Sequence, residues 1–217
     1  MKLIKTGIAG LDEFLTGGLP PRILLLTGTP GSGNEVFAKQ IAYTRAKQNN
    51  NVTYFTVNTS FDSIKEDMNA YNWDITPLET SGNWKFKTLS KASDLAQTIT
   101  EEMKQKRTII IDSISEVLFT RKTQEAINLL TEMSRQNKNS ENFHLLLLTE
   151  GMQDPNAETA MQHFAEGVIN FNTEWTTDST KRDILIRKMK GSFIPNRKLP
   201  YSISKKGFII ETATRIS

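Results

Sequence analysis

The stretch Ile23-Leu24-Leu25-Leu26-Thr27-Gly28-Thr29-Pro30-Gly31-Ser32-Gly33-Asn34-Glu35-Val36-Phe37 decides the fold. Ile23 to Thr27 is apolar without alternation, the mark of a strand buried on both faces of a parallel sheet. It breaks into a glycine-rich turn. Beyond the turn Val36, Phe37, Ile41 and Ala42 recur at helical spacing, as far as the polar turn Asn49-Asn50-Asn51. A strand, a glycine turn and a helix in that order make an anion cradle. Glycines let successive backbone N–H groups converge on an anion, and the helix N-terminus adds positive potential.

Working outward, the same rhythm repeats. Val52 to Val57 reads as a second strand and Ser60 to Tyr71 as a second helix, with Ser60 and Asp62 as possible caps. Trp84 to Leu89 is a short strand and Ala92 to Lys104 a helix. Thr108 to Asp112 is a buried strand ending in a carboxylate, Thr123 to Gln136 a helix and Phe143 to Leu148 another buried strand. Leu3 to Pro20 reads as irregular and punctuated by glycine. Strands alternating with helices call for right-handed crossovers and a parallel sheet. After Gly167 the pattern changes: Val168 to Glu174, Asp183 to Met189, Tyr201 to Ser204 and Phe208 to Thr212 read as strands joined by short loops, an antiparallel edge. With no internal repeat and no linker, residues 1–217 are expected to form one α/β domain.

Composition narrows the function classes. Hydrophobic residues make up 37% and charged ones 24% of 217, within the range of globular proteins. The absence of cysteine excludes a disulfide framework, a thiolate zinc site and cysteine catalysis. Met1-Lys2-Leu3-Ile4-Lys5 carries no apolar leader, and no apolar run approaches the roughly 18 residues of a membrane span. A cytoplasmic protein with no membrane partner is expected. Charge is uneven: from Lys181 onward ten Lys or Arg face two acids, Asp183 and Glu211, so this end carries +8 and the remainder −5. Such a stretch marks either a surface for phosphate, nucleic acid or an acidic partner, or a solvated hairpin face.

A working phosphate loop reads G-x-x-x-x-G-K-[ST], with the lysine on the β/γ-phosphates and the hydroxyl on magnesium. Here the eight positions are Gly28-Thr29-Pro30-Gly31-Ser32-Gly33-Asn34-Glu35. The glycine frame is intact, but Asn34 brings no charge and Glu35 puts a carboxylate where phosphate and metal belong. Two readings of the loop stand: a degenerate nucleotide site, or a tight turn with a favourable acid in the first helical turn. Under the first, Glu35 is expected to act as a built-in substitute for phosphate that satisfies the turn.

The surrounding residues carry a resemblance. Thr6-Gly7-Ile8-Ala9-Gly10-Leu11-Asp12-Glu13, followed by Gly17-Gly18-Leu19-Pro20, is similar to the opening T-G-I-x-G-L-D-E-x-L-x-G-G-L-P of the KaiC-like branch of RecA-type P-loop ATPases. Thr108 to Ser113 resembles the family's Walker B strand, Leu148-Thr149-Glu150 its next strand end, Phe164 to Ile169 its "adGVI" edge strand and Lys188-Met189-Lys190-Gly191-Ser192 its K-M-R-G-S hairpin. The likeness spans nearly the whole chain in order, and archaeal single-domain KaiC-like proteins, relatives of the recombinase paralogs included, are the class it points to. It implies a RecA-like P-loop fold: a mostly parallel twisted sheet flanked by helices, with an antiparallel C-terminal edge.

It also implies roles. Asp112 would hold magnesium through water, or simply cap its strand end. Lys188 and Lys190 would reach a neighbour's γ-phosphate in a ring, or lie on a solvated strand. Glu150 would act as a polar sensor or face solvent. The family's catalytic glutamates follow its second strand as "Y-V-S-L-E-E-S"; here Tyr54-Phe55-Thr56-Val57-Asn58-Thr59-Ser60 puts Asn58 and Thr59 in their place, and an amide cannot serve as a general base at neutral pH. Phosphate-binding lysine, metal hydroxyl and base are thus missing together. His144 and His163 take no catalytic role, and Trp73, Trp84 and Trp175 read as packing residues in preference to base-stacking platforms. The expected protein is a pseudo-ATPase with weak or no ATP/ADP and magnesium binding, at Gly28, Thr29, Pro30, Gly31, Ser32, Gly33, Asn34, Glu35 and Asp112. It would associate with itself or with an active relative whose site it completes. Two rivals stand: a slow ATPase in which Lys39 or a lysine in trans replaces Asn34, and a DNA-binding recombinase accessory using the basic hairpin. Against the latter, Gly151 to Glu166 holds Asp154, Glu158 and Glu166 and no Lys or Arg.

Overall fold

The computed structural model describes residues 3–90, 94–138, 142–192, 194 and 197–211. Strands β1 (Ile23–Gly28), β2 (Val52–Thr56), β3 (Trp84–Thr88), β4 (Thr108–Asp112), β5 (His144–Thr149), β6 (Gly167–Trp175), β7 (Thr180–Met189), β8 (Leu199–Ser204) and β9 (Gly207–Ile210) form one sheet in the order β3-β2-β4-β5-β1-β6-β7-β8-β9. Pairing is parallel from β3 through β6 and antiparallel from β6 to β9. This is the architecture expected from the sequence, a mostly parallel sheet with an antiparallel C-terminal edge.

The central strands lack alternation because both faces are covered. Successive side chains point to opposite faces. Leu24, Leu26, Tyr54, Ile110, Leu145 and Leu147 join α2 (Asn34–Lys47) and α3 (Phe61–Asn69) in one buried cluster. Ile23, Leu25, Phe55, Ile109, Ile111 and Leu146 join α5 (Leu95–Lys104) and α7 (Thr123–Asn137) in the other. Truncating one of these, Leu25→Ala for example, removes contacts worth about 2–5 kcal/mol.

Sequence reading located these elements to within a few residues and missed short ones. Ser60, not Asp62, caps α3 by accepting from Ser63 N–H. Unforeseen are the single turn α1 (Leu11–Phe14), α4 (Thr76–Thr80), α6 (Ile114–Thr120) and α8 (Pro155–Phe164). Ala92 and Ser93 of the expected third helix, and Thr212 of the expected last strand, lie outside the described residues. The opening segment is tied down rather than loose: Thr6 N–H and Oγ1–H and Gly7 N–H donate to the Asp12 carboxylate at 2.8, 2.8 and 3.1 Å. Ile4 pairs with Leu19, and Gly18 sits at φ 121° where a side chain would run into the Ile4 carbonyl.

Candidate functional site

The loops leaving the carboxyl ends of β1, β2, β4 and β5 gather at one edge of the sheet, where open α/β folds bind ligands. The glycine turn begins as Ser32 N–H closes on Thr29 O at 3.0 Å, and Gly33 enters α2 at φ 86°. It is braced from behind by β8, since the Tyr201 hydroxyl donates to the Ser32 carbonyl and a β-carbon on Gly33 would collide with Ile203. Burial pushes the Tyr201 phenol up to about 12, so it remains a donor at neutral pH.

Asn34 and Glu35 do not restore what the pattern lacks. Asn34 is buried, and its Nδ2 donates back along β1 to Leu26 O at 3.4 Å. The Glu35 carboxylate, in the first turn of α2, accepts no hydrogen bond and forms no ion pair among the described residues. That corrects the expectation that it fills the turn in place of phosphate. Lys39 is one helical turn further on, buried, with Nζ 2.8 Å from Asp67 Oδ2.

Asp112 ends β4 beside β2, whose Tyr54 hydroxyl donates to its Oδ2 at 2.6 Å. Burial raises the Asp112 carboxyl above the usual carboxylate range, although Tyr54 and Lys39 pull the other way. Burial first, and then Asp112, push the Tyr54 phenol well above its usual value. Across the loop from there, Glu150 N–H donates to Gly28 O at 3.0 Å, and its Oε1 accepts from Asn170 Nδ2 at 2.7 Å. Asn170 also donates to Thr27 Oγ1 and accepts from Arg187, so Glu150 is anchored to the base of the loop.

A family model described as "ATPase: KaiC" matches residues 4–215. The chain belongs to the KaiC ATPase family. A UPF0273 protein of Thermotoga maritima is 26% identical over 97% of this chain and 96% of its own length. Another, from Pyrococcus horikoshii, is 24% identical over 95% of this chain and 93% of its own. Among solved structures, a KaiC-like protein of Pyrococcus horikoshii superposes with a TM-score of 0.82 at 22% identity, covering 97% of this chain and 99% of that one.

Membership in the KaiC family implies ATP with magnesium, and the donor set of this chain does not fit that pair. The metal hydroxyl is a carboxylate, the phosphate lysine is an amide turned back toward β1, and one oxygen of Asp112 already holds the Tyr54 hydroxyl. Among the described residues no group of three or more His, Cys, Asp or Glu side chains is placed to hold a metal ion. The glycine turn itself remains, and inside it Ser32 is fully buried with its Oγ unpartnered.

Two residues missed by sequence reasoning belong to this edge. Glu116 of α6 accepts from Asn58 N–H at 3.0 Å and Asn58 Nδ2 at 2.8 Å, returning a carboxylate to the end of β2. Ser113-x-x-Glu116 is visible as a helix-start pattern, but nothing in its spacing points to Asn58. Trp175, read as a packing residue, is 67% exposed beside the loop; Trp73 and Trp84 are buried as expected.

Lys188 and Lys190 lie at the other edge. Met189 pairs with Gly167, which pairs with Leu24, four residues before Gly28. At about 3.3 Å per residue that is roughly 13 Å from the loop along the strands, which sets both lysines apart from the chain's own glycine turn. Lys188 Nζ is also engaged, donating to His163 O at 2.5 Å and Gln162 O at 3.3 Å. Other cations of the basic end are similarly occupied: Lys198 with Asp183, Arg187 with Asn170, Arg182 over Trp175 and Arg197 over Phe14. No helix among the described residues is long and apolar enough to cross a membrane.

Proposed function

We propose that this KaiC-family chain is a non-hydrolysing member that works by association, with copies of itself or with an active ATPase relative. One observation carries the reading: the Tyr54 hydroxyl sits 2.6 Å from Asp112 Oδ2, so one oxygen of the carboxylate that would organise magnesium is already engaged by the neighbouring strand. Asn34, Glu35, Asn58 and Thr59 support it, since charge, metal hydroxyl and base are lost together. Association is supported by Lys190, exposed at the edge remote from its own loop and without a side-chain hydrogen bond or ion pair among the described residues.

Purified protein with magnesium and ATP should release phosphate no faster than Asp112→Asn. Turnover at the rate of an active relative, abolished by Asp112→Asn, would overturn the reading. Association is tested separately by light scattering, alone and mixed with an active relative. A salt-sensitive complex weakened by Lys190→Ala is the expected result, and a monomer in every mixture sinks that half of the proposal.

A further inference from the structure

Two motifs stand apart from the glycine turn: Gly17-Gly18-Leu19-Pro20 of the opening segment and the hairpin end Lys188-Met189-Lys190-Gly191-Ser192. They meet near the amino end of β1, where Leu3, Phe14, Leu15, Ile186, Met189 and Ile194 line a cavity of about 410 Å³. Its walls follow from local structure. The pairing of Ile4 with Leu19 holds the opening segment in place beside the turn that carries Phe14 and Leu15. On β7 the register against β6 skips Arg187, since Ile169 faces Ile186 while Val168 faces Lys188. Side chains alternate along a strand, and such a bulge shifts the alternation by one residue. Met189 is thereby turned onto the side of Ile186, and Lys188 onto the opposite side with α8.

Ligand sites are mostly apolar clefts of about 300–1,000 Å³ with a few polar groups that fix orientation. Here the polar group is a cation at the rim. Arg22, just before β1, keeps part of its surface open and donates from Nε to Lys190 O and from Nη1 to Pro21 O, each at 3.2 Å. Its Nη2 makes no hydrogen bond, and its guanidinium no ion pair, among the described residues. Gly191, which lines the cavity at φ 78°, leaves that nitrogen clear on its side, for a β-carbon there would stand 3.3 Å from it. Exposed Lys190 adds charge of the same sign. The acid of this corner, Glu166, is taken up by Ile23 N–H at 3.0 Å and the Ser134 hydroxyl at 2.9 Å. An apolar hollow with an unpaired guanidinium beside it calls for an apolar body that ends in an anion. A cavity of roughly 150 Å³ already holds benzene, so this one has room for a chain of about eight carbons. We propose that it binds a medium-chain carboxylate, the chain against Phe14 and Met189 and the carboxylate on Arg22 Nη2. Neither binding nor turnover of ATP enters this assignment.

The full chain is titrated calorimetrically with hexanoate, octanoate, 1-octanol and octylamine, all below their aggregation concentrations. Octanoate should bind saturably, and each methylene added between hexanoate and octanoate should raise affinity about fourfold. Octylamine should bind at least about tenfold more weakly than octanoate. Arg22→Ala should weaken octanoate about tenfold and leave 1-octanol unchanged, while Arg22→Lys keeps most of the difference between them. Ile194→Trp, which fills the cavity, should remove both. In the wild type, octanoate should shift the Met189 methyl resonance, a reading that stands even where a variant fails to fold. No saturable octanoate binding overturns the proposal, as does equal binding of octanoate and octylamine. A Met189 methyl that does not respond, or full affinity in a folded Ile194→Trp, places the chain elsewhere and overturns it too. Loss of 1-octanol together with octanoate in Arg22→Ala would make Arg22 a support of the hairpin and remove it as the carboxylate partner.

Discussion

A lysine at position 34 would carry its ammonium over the glycine turn, whereas the shorter Asn34, at the start of α2, donates back to Leu26 O of β1. Glu35 adds a repulsive term: like charges 4 Å apart at an effective dielectric near 20 cost about 4 kcal/mol, on the order of a thousandfold in affinity. Asn34→Lys with Glu35→Thr should therefore raise ATP affinity by roughly two to three orders of magnitude, measured by equilibrium dialysis with a labelled analogue. Hydrolysis should stay poor, because Asn58 and Thr59 supply no base and Glu116 is held by the Asn58 amides. If the double variant binds no better than the parent, the turn has lost its phosphate geometry. Glu35→Ala alone should change stability by no more than about 0.3–1 kcal/mol, since among the described residues the helix dipole is its only favourable partner. At this scale the residue types at positions 34, 35, 58 and 59 are legible in the sequence, and the contacts that surround them are not. Tyr54 and Asp112 are 58 positions apart, as are Asn58 and Glu116, and they meet because β2 and β4 are neighbours in the sheet.

Among the elements, the buried strands were legible because two covered faces leave unbroken apolar runs, as in Leu145 to Leu148. The missed helices lack that signal. α4 buries no residue and α8 buries only Ala157 and Met161, although Asp154-Pro155 is a sound helix start. β7 begins three residues before the expected Asp183, because Thr180, Lys181 and Arg182 pair with the exposed end of β6 without apolar alternation. The same overhang explains why Trp175 read as core: its residue type favours burial, and only the tertiary position of the hairpin exposes it. Lys188 shows an element-level role that spacing concealed. Its ammonium closes the last carbonyls of α8, where a cation also meets the negative end of the helix. Lys188→Ala should lower stability by about 1 kcal/mol, or roughly 2–4 °C in Tm for a chain of this size. An unchanged Tm with altered assembly would instead assign Lys188 to a contact with a second molecule.

Across the whole molecule the two edges of the sheet differ in chemistry. The carboxyl-end edge carries the glycine turn, and the amino-end edge is held by buried polar groups. Glu102 there meets Lys85, Lys87 and Arg107. Arg45 bonds Thr108 and Asn142. His144 opens β5 with Nδ1 accepting from Ile109 N–H at 3.0 Å and Nε2 facing Asn137 Oδ1 at 3.0 Å, which fixes a neutral ring protonated on Nε2. Burial, and after it Arg45, lowers its pKa to about 3 from 6.5. The unfolded chain thus takes up this proton first, so the stability due to His144 is complete above pH 6.5 and drains away as pH falls toward about 3. The slope is at most about 1.4 kcal/mol per pH unit. Asp112 has the opposite sign: burial raises its pKa, so the fold gains stability as pH falls through that raised value toward 3.8, which offsets part of the loss. The midpoint of urea unfolding should accordingly fall between about pH 7 and about pH 5, and His144→Gln should flatten that dependence whatever its own stability. Parallel slopes in the two proteins would mean that another group governs the acid side.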